Sequence, residues 1–188
     1  MNLHTLGLNH DSAPVEVREK LAFSPSSVPV ALSSFAQSFP SSEIVILSTC
    51  NRVEIYATSK DDSLNKDTLL DFFSAFHELP KEEFADHMYH HQGINAVRHL
   101  FFVASSLNSG VLGETQIISQ VKEAYQTATT AETTGSILNQ LFQRSLTVAK
   151  DVHTKTAIGK GNISVSTVAV DLAIKIFKDF SEKTMFII

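Results

Sequence analysis

The 188-residue sequence contains a single cysteine, no tryptophan and no apolar run of the roughly 18 residues that a membrane-spanning helix needs. One cysteine excludes an intrachain disulfide framework, and chains without disulfides are typical of the reducing cytosol. The start of the sequence, Met1–Thr5, lacks the basic region and apolar core of a secretory signal. We therefore expect a cytoplasmic protein without membrane association.

Basic residues are also scarce, with 15 Lys and Arg against 20 Asp and Glu and a net charge of −5. This balance argues against a nonspecific nucleic-acid-binding protein, which is normally basic. The charge is uneven, because residues 1–143 hold 8 basic and 16 acidic residues whereas residues 144–188 hold 7 and 4. The basic C-terminal segment is either a phosphate-contacting surface or, as we favour, a solvated helix face.

Hydrophobic residues make up 43% of the sequence and charged residues 19%, which is typical of a globular domain. The pattern of apolar residues predicts strands at Leu3–Leu8, Ile44–Leu47, Val53–Ala57 and His87–His91. It predicts helices through Val17–Ala22, Val28–Phe35 and Leu69–Phe76, and then over Ala96–Leu107, Ile117–Tyr125, Ser136–Lys155 and Ser164–Phe180. Strands and helices alternate only in the first part, so the sequence predicts an α+β domain with a helical extension.

The sequence ends at Lys183–Ile188 with a pattern that predicts a strand interrupted in mid-run. A natural terminus rarely falls inside an apolar strand. We therefore expect these residues to be a fragment of a longer protein.

Cys50 lies in the segment Ser48-Thr49-Cys50-Asn51-Arg52, between two predicted strands. This position predicts a tight connection that displays its side chains to solvent or substrate. A thiolate is a strong nucleophile, its pKa falls near a cation such as Arg52, and its attack on an activated ester gives a thioester. A free cysteine is more commonly a small buried residue, but three polar neighbours favour the catalytic interpretation.

Two further groups are candidates for the same site. His99, on a predicted apolar helix, is either a half-buried structural histidine or an acid, base or carbonyl-polarising partner for Cys50. In the loop that opens the next helix, the main-chain N–H groups with Ser109, Gln116 and Gln120 could bind an amino acid, and Glu114 could pair with its ammonium. From the residues alone, ordinary helix capping by Glu114 or Thr115 is the favoured interpretation of that loop.

Two other patterns do not predict a functional site. His87, His90 and His91 do not predict a metal site, since neighbouring strand residues point to opposite faces and no carboxylate or cysteine completes a known spacing. Gly159-Lys160-Gly161 is too short to form a phosphate-binding loop.

A series of motifs, in order along the chain, resembles the glutamyl-tRNA reductase family. The first motifs are Gly7-Leu8-Asn9-His10, Ser12-Ala13-Pro14-Val15 and Arg18-Glu19, followed by STCNRVEIY at residues 48–56. The series continues with HLFFVASSL at 99–107, LGETQI at 112–117, Val165-Ser166 and Ala169-Val170. The resemblance covers essentially the whole chain.

The resemblance implies a chemistry for these residues. Cys50 would take glutamate from its tRNA ester as a thioester, and NADPH hydride would release glutamate-1-semialdehyde, which enters tetrapyrrole (porphyrin) biosynthesis by the C5 route. His99 would be the activity-critical histidine, with Arg52 as a partner for a substrate carboxylate. The implied substrate-binding residues are Thr49, Asn51, Arg52, Ser109, Glu114, Thr115, Gln116 and Gln120.

It also implies an architecture and partners. Residues 1–160 would form a ferredoxin-like catalytic domain, and residues 161–188 the start of a long connecting helix and the first strand of a truncated NADPH-binding domain. The NADPH site is expected beyond Ile188, with no metal. Expected partners are glutamyl-tRNA, a second copy bound through a missing C-terminal domain, and the aminotransferase that takes the semialdehyde.

The sequence departs from the family pattern at three places. Asn108 stands where an Asp is usual, Gly110 where a larger apolar residue is usual, and Val152–Thr156 where an Arg and an acidic residue are usual. We expect these changes to affect the rigidity of the loop and a contact to tRNA. Two alternatives stay open: a cysteine-dependent acyl hydrolase or transferase that needs no reductant, and a non-catalytic module that binds tRNA or another partner.

Overall fold

The computed structural model describes residues 2–61, 63–110, 113, 114, 116–159, 165–177 and 184. Its strands are β1 (Leu3–Asn9), β2 (Ser42–Ser48), β3 (Arg52–Ser59) and β4 (Tyr89–Gln92). Its helices are α1 (Val15–Lys20), α2 (Val28–Ser38), α3 (Lys66–His77), α4 (Ile94–Ala104), α5 (Gln116–Thr130), α6 (Ser136–Lys155) and α7 (Val165–Ile176). Short 3-10 turns lie at Lys81–Glu83, Ala85–His87 and Ala157–Gly159.

The four strands form one antiparallel sheet in the order β2-β3-β1-β4. Strand β1 therefore lies between β3 and β4, and the two strands nearest in sequence, β2 and β3, form a hairpin. With helices between β1 and β2 and between β3 and β4, this is the βαββαβ arrangement of ferredoxin-like folds. The predicted α+β, ferredoxin-like fold is confirmed.

One face of the sheet packs against the helices that precede β4. Ser48, at the end of β2, accepts a hydrogen bond from the Phe23 main chain at 3.0 Å, and the Phe23 ring lies 5.9 Å from Phe73 of α3. Phe35 of α2 contacts Phe72 of α3 edge-on at 5.1 Å. These aromatic side chains are buried, and together with the strand residues they form the core on this face.

The opposite face is covered by helices α4 and α6. Tyr56 on β3 contacts Phe142 of α6 edge-on at 5.5 Å, and Leu3 lines a hollow with Val97 of α4 and Ile137 of α6. Helix α5 runs along the open edge of β2, and the main chain after it accepts a hydrogen bond from Ile44. The helical extension therefore forms a second core with the sheet. The charged side chains of β3, Arg52 and Glu54, are buried in the folded chain.

The predicted elements are found with small changes of boundary. Helix α1 begins and ends two residues earlier than predicted, at Val15 and Lys20, and the fourth strand begins at Tyr89 rather than His87. Helix α3 begins at a capping box in which Asn65 and Thr68 each accept the other's main-chain N–H. The predicted strand at Met185–Ile188 and the substrate residue Thr115 lie outside the described residues. Among the described helices, none is long and apolar enough to cross a membrane.

Candidate active site

Cys50 lies at the tip of the β2–β3 hairpin, and its side chain is exposed. The turn is closed by Thr49, whose N–H donates to the Arg52 carbonyl at 2.8 Å. The Thr49 hydroxyl accepts from the N–H groups of Asn51 and Arg52 at 3.2 and 3.1 Å. A threonine that caps its own turn in this way fixes the two residues after it. The thiol is therefore presented to solvent, and the interpretation of Cys50 as a buried packing residue is wrong.

Residues after β1 hold the same tip from a second side. The N–H of His10 donates to the Asn51 carbonyl at 2.9 Å. The Arg18 guanidinium, on α1, donates through Nη1 to the Cys50 carbonyl at 2.7 Å. The carbonyl groups of Cys50 and Asn51 are thus both bound, and the main chain of the hairpin tip is tied to two separate segments.

Arg52 points inward from the hairpin and is almost completely buried, with 2% of its side chain exposed. Its Nη1 pairs with the Glu54 carboxylate at 2.7 Å, and its Nη2 donates to the carbonyl and the side-chain oxygen of Asn108. Burial by itself would lower the pKa of Arg52, but the adjacent Glu54 carboxylate raises it above its ordinary value. Arg52 therefore stays charged and is engaged on both of its terminal nitrogens.

Glu54 is fully buried and accepts hydrogen bonds from four side chains, two on its own strand β3, one on β4 and one on α4. Besides Arg52, these are the hydroxyls of Tyr56 and Tyr89 and the His99 ring, whose Nε2 lies 2.9 Å from the carboxylate. Burial by itself would raise the pKa of the Glu54 carboxyl, but Arg52 and the hydrogen bond from His99 hold it well below its usual range. Glu54 is thus an ionised carboxylate at the centre of a buried polar network.

Glu54 also decides which nitrogen of His99 carries the proton. An ionised carboxylate only accepts hydrogen bonds, so Nε2 of His99 must donate to it. The other ring nitrogen, Nδ1, is then either an acceptor in the neutral ring or a second donor in the charged ring. No hydrogen bond joins His99 to Cys50 in the described part of the chain, so the two are connected through Glu54 and Arg52.

Gly7 makes room for the network on the neighbouring strand. It is opposite Glu54 in the β1–β3 register. A Cβ at Gly7 would lie 2.5 Å from the Val53 carbonyl oxygen and 2.7 Å from Cγ of Glu54, closer than side chains tolerate. The glycine in the first motif is therefore required by the close approach of Glu54.

The loop after α4 connects the network to the C-terminal helices. Asn108, which stands where the family usually has an Asp, accepts a hydrogen bond from Arg52 through its side-chain oxygen. It therefore still provides an oxygen acceptor at this position. Ser106 donates to the Glu114 carbonyl, and its hydroxyl lies 3.4 Å from Nε2 of His153. A Cβ at Gly110 would lie 3.5 Å from His10, an ordinary contact, so no contact among the described residues requires a glycine there.

The predicted substrate residues are distributed around one end of the domain. Thr49, Asn51 and Arg52 share the hairpin with Cys50, and Ser109 directly follows the Asn108 that binds Arg52. Gln120, on α5, lines a hollow of about 290 Å³ beside Ser48. Gln116 is exposed at the start of α5, and Glu114 is buried. The structure brings the hairpin, Asn108 and His99 into one network. Of the other predicted residues, those that the structure describes make no direct contact with Cys50.

A second hollow opens beside His99. It has a volume of about 480 Å³ and is lined by His91, Asn95, Arg98, His99, Phe102 and Asn108. The His91 ring lies 4.7 Å from that of His99, and burial lowers the pKa of His91. The hollow is therefore an entry to the network from the side of α4.

Four residues of this site were not among the sequence predictions: Glu54, Tyr56, Tyr89 and Arg18. Glu54 and Tyr56 were detectable in principle, because residues two and four positions after Arg52 share its face of a strand. Tyr89 and Arg18 come from other elements, and only the fold places them here.

The fold agrees with what the chain resembles in sequence. The family model for the glutamyl-tRNAGlu reductase N-terminal domain matches residues 6–156. The chain belongs to this family. The glutamyl-tRNA reductase of Geobacter sulfurreducens is 44% identical over 188 residues, covering 100% of this chain and 43% of the relative. That of Brevibacillus brevis is 42% identical, covering 100% of this chain and 41% of the relative.

A solved structure is similar as well. Glutamyl-tRNA reductase from Methanopyrus kandleri superposes with a TM-score of 0.74 at 35% identity, over 92% of this chain and 39% of that chain. The chain therefore spans less than half the length of the curated relatives it matches.

The described residues do not fit a dinucleotide cofactor. Dinucleotide sites of the Rossmann type need parallel strands joined by a helix, whereas every strand pair described here is antiparallel. Among the described residues no group of three or more His, Cys, Asp or Glu could hold a metal ion.

Proposed function

We propose that this chain is the substrate-binding and thioester-forming part of a glutamyl-tRNA reductase. The observation that carries the proposal is the exposed Cys50 thiol, held at a hairpin tip directly beside a buried Arg52–Glu54–His99 network, in a chain of this family. An exposed thiol alone would not support the proposal, but here Arg52, two residues after Cys50, is fixed by its buried ion pair with Glu54, and such supporting contacts hold a site in a defined geometry.

The proposed step is a redox-neutral acyl transfer. The Cys50 sulfur attacks the ester carbonyl carbon of glutamyl-tRNA, a carbon–sulfur bond forms, and the carbon–oxygen bond to the ribose breaks. The proton lost by the thiol is balanced by the proton gained by the leaving ribose hydroxyl. His99 is the proposed auxiliary, because Glu54 holds its Nε2 and leaves Nδ1 for the substrate side.

The remaining predicted residues have proposed roles in holding the glutamyl group. Arg52 is the proposed carboxylate anchor, and this role requires a substrate oxygen to replace an oxygen of Asn108 on Nη2. Thr49 fixes the turn, and Asn51, Ser109, Glu114, Thr115, Gln116 and Gln120 are the proposed contacts around the ester. Reduction of the thioester by NADPH to glutamate-1-semialdehyde, for tetrapyrrole biosynthesis in the cytoplasm, is proposed for the whole protein.

The test is incubation of the chain with glutamyl-tRNA that carries radiolabelled glutamate. We expect label on the protein that hydroxylamine releases, as it does from thioesters, and we expect Cys50→Ser to remove it. Arg52→Lys should weaken labelling, since a lysine cannot make the two-nitrogen contact to Glu54 and the substrate. Undiminished label in the serine variant would contradict the proposal.

Release of glutamate distinguishes the hydrolase alternative. We expect the labelled chain to lose glutamate slowly, because a reductase must keep its thioester for a hydride. Release of free glutamate as fast as the label forms would favour a cysteine-dependent hydrolase.

A further inference from the structure

Arg18 stands out because it is a cation next to the nucleophile with no anionic partner. It lies on α1 and donates through Nη1 to the Cys50 carbonyl at 2.7 Å. The salt bridges among the described residues use Arg52, Lys20, Lys81, Lys155 and two histidines, but not Arg18. Its positive charge is thus unneutralised in this part of the structure, whereas that of Arg52 is neutralised by Glu54.

Arg18 also has a donor that is not used. Its Nε–H is shielded from solvent and has no hydrogen-bond partner among the described residues. A guanidinium has five N–H donors, and one of them is spent on Cys50. A buried donor without an acceptor is costly, and such a group in a native protein calls for an explanation. A ligand with an anionic oxygen would supply the acceptor and the missing charge at once.

We propose that Arg18 is a further substrate-binding residue, which holds the main chain of Cys50 with one N–H and pairs with an anionic oxygen of the incoming ester with the rest of its guanidinium. The inference rests on the proposed function for the identity of the ester. Two oxygens of glutamyl-tRNA have this chemistry: the side-chain carboxylate of the glutamyl group and a phosphodiester at the 3′ end of the tRNA. Arg18 thus couples the position of the nucleophile to the arrival of the substrate.

The first test needs no tRNA. Iodoacetate is an anion and iodoacetamide is its neutral analogue, and both alkylate the single thiol of the chain. We expect Arg18→Gln to slow iodoacetate about 3- to 10-fold more than iodoacetamide, the usual scale for loss of one nearby charge at a partly exposed site. Arg18→Lys, which keeps the charge, should retain most of the preference. The matched control is Arg144→Gln, at an exposed arginine beside Leu3, at the opposite end of β1.

The second test identifies the anion. Labelling of Cys50 is compared for glutamyl-tRNA, the same tRNA charged with glutamine, and a glutamyl ester of adenosine without phosphate. For glutamyl-tRNA we expect Arg18→Gln to lower the labelling rate at limiting substrate about 10- to 100-fold, the range for a hydrogen bond to a charged group. If Arg18→Gln labels equally fast with glutamyl-tRNA and glutaminyl-tRNA, the partner of Arg18 is the glutamyl carboxylate. If Arg18→Gln slows labelling by the two tRNA esters but not by the adenosine ester, the partner is the phosphodiester.

Some outcomes overturn the inference. One is an equal slowing of iodoacetate and iodoacetamide, because a merely structural role at the hairpin would affect both reagents alike. Another is labelling of Arg18→Gln at the wild-type rate. Circular dichroism and a thermal melt of each variant show whether the fold is retained, and Arg18→Met, which is also neutral, replaces Arg18→Gln if that variant does not fold. Absence of label in the wild-type chain contradicts the proposed function and leaves the alkylation test of Arg18 decisive.

Discussion

At the scale of single residues, the most consequential group is a carboxylate with no exposed surface. Glu54 takes hydrogen bonds from Arg52, Tyr56, Tyr89 and His99, so the removal of its charge leaves several buried donors without their acceptor. Breaking a buried ion pair from one side is far more destabilising than losing a surface pair, since the remaining charge stays buried. Glu54 therefore links the stability of the domain to the geometry of its site.

Glu54→Gln tests this link. We expect the free energy of unfolding to fall by about 3 kcal/mol, because Arg52 loses its only carboxylate partner among the described residues. Urea unfolding of this variant and of the control Glu82→Gln, at an exposed acidic residue, measures the difference. A loss for Glu54→Gln as small as that for Glu82→Gln would mean that the pair contributes little.

At the scale of elements, the site depends on two backbones that approach closely at Gly7. Gly7→Ala places a methyl group 2.5 Å from the Val53 carbonyl oxygen. We expect a loss of about 1–3 kcal/mol of stability, the usual cost of overpacking, and weaker labelling of Cys50 because β1 and β3 must separate. Gly110→Ala is the matched control, since its new Cβ meets His10 at an ordinary 3.5 Å. Equal unfolding midpoints for the two variants would contradict this account of Gly7.

Helix α3 carries a pH-dependent contribution to stability. His77 packs against Phe23, Phe73 and Phe76, and burial lowers the pKa of His77 to about 4. Because the folded pKa is below the unfolded value of 6.5, the folded state binds fewer protons between these values. The stability is fully present above pH 6.5 and decreases as the pH falls toward 4.

We expect the melting temperature to fall between pH 7 and pH 4.5 and the slope to be smaller in His77→Phe. Thermal melts of both proteins across this pH range measure the two slopes. Burial also lowers the pKa values of His4, His90 and His91, so these residues contribute to the slope that is common to both proteins. An unchanged slope in His77→Phe would contradict the assignment to α3.

Most of the strands and helices are predictable from the sequence. The apolar runs of β2 and β3 and the helical spacing of α2 to α6 predict an α+β domain with a helical extension, and the family resemblance implies that its sheet is ferredoxin-like. The site is predictable only in part, because Cys50 and Arg52 are close in sequence whereas Glu54 meets Tyr89 and His99 through strand pairing and helix packing. Arg52 illustrates the limit: its sequence context indicates a substrate contact, while its burial against Glu54 is a property of the folded chain.

At the scale of the whole molecule, the described residues form an exposed thiol and a buried polar network but no parallel βαβ unit for a dinucleotide. We expect the chain incubated with glutamyl-tRNA and NADPH to form the Cys50 thioester without producing glutamate-1-semialdehyde. Mass spectrometry of the protein and derivatisation of the aldehyde measure the two products in one reaction. Aldehyde made by these 188 residues would contradict the expectation.

The solitary, exposed thiol at the hairpin tip also has a consequence for oxidation. With no second cysteine in the sequence, a sulfenic acid formed on Cys50 has no resolving partner within the chain. It can only be oxidised further or form a disulfide with another molecule, and a Cys50–Cys50 bridge between two chains would block both thiols. Material kept without reductant should therefore accumulate a covalent, unreactive dimer on a non-reducing gel, and dithiothreitol should restore both the monomer band and the labelling.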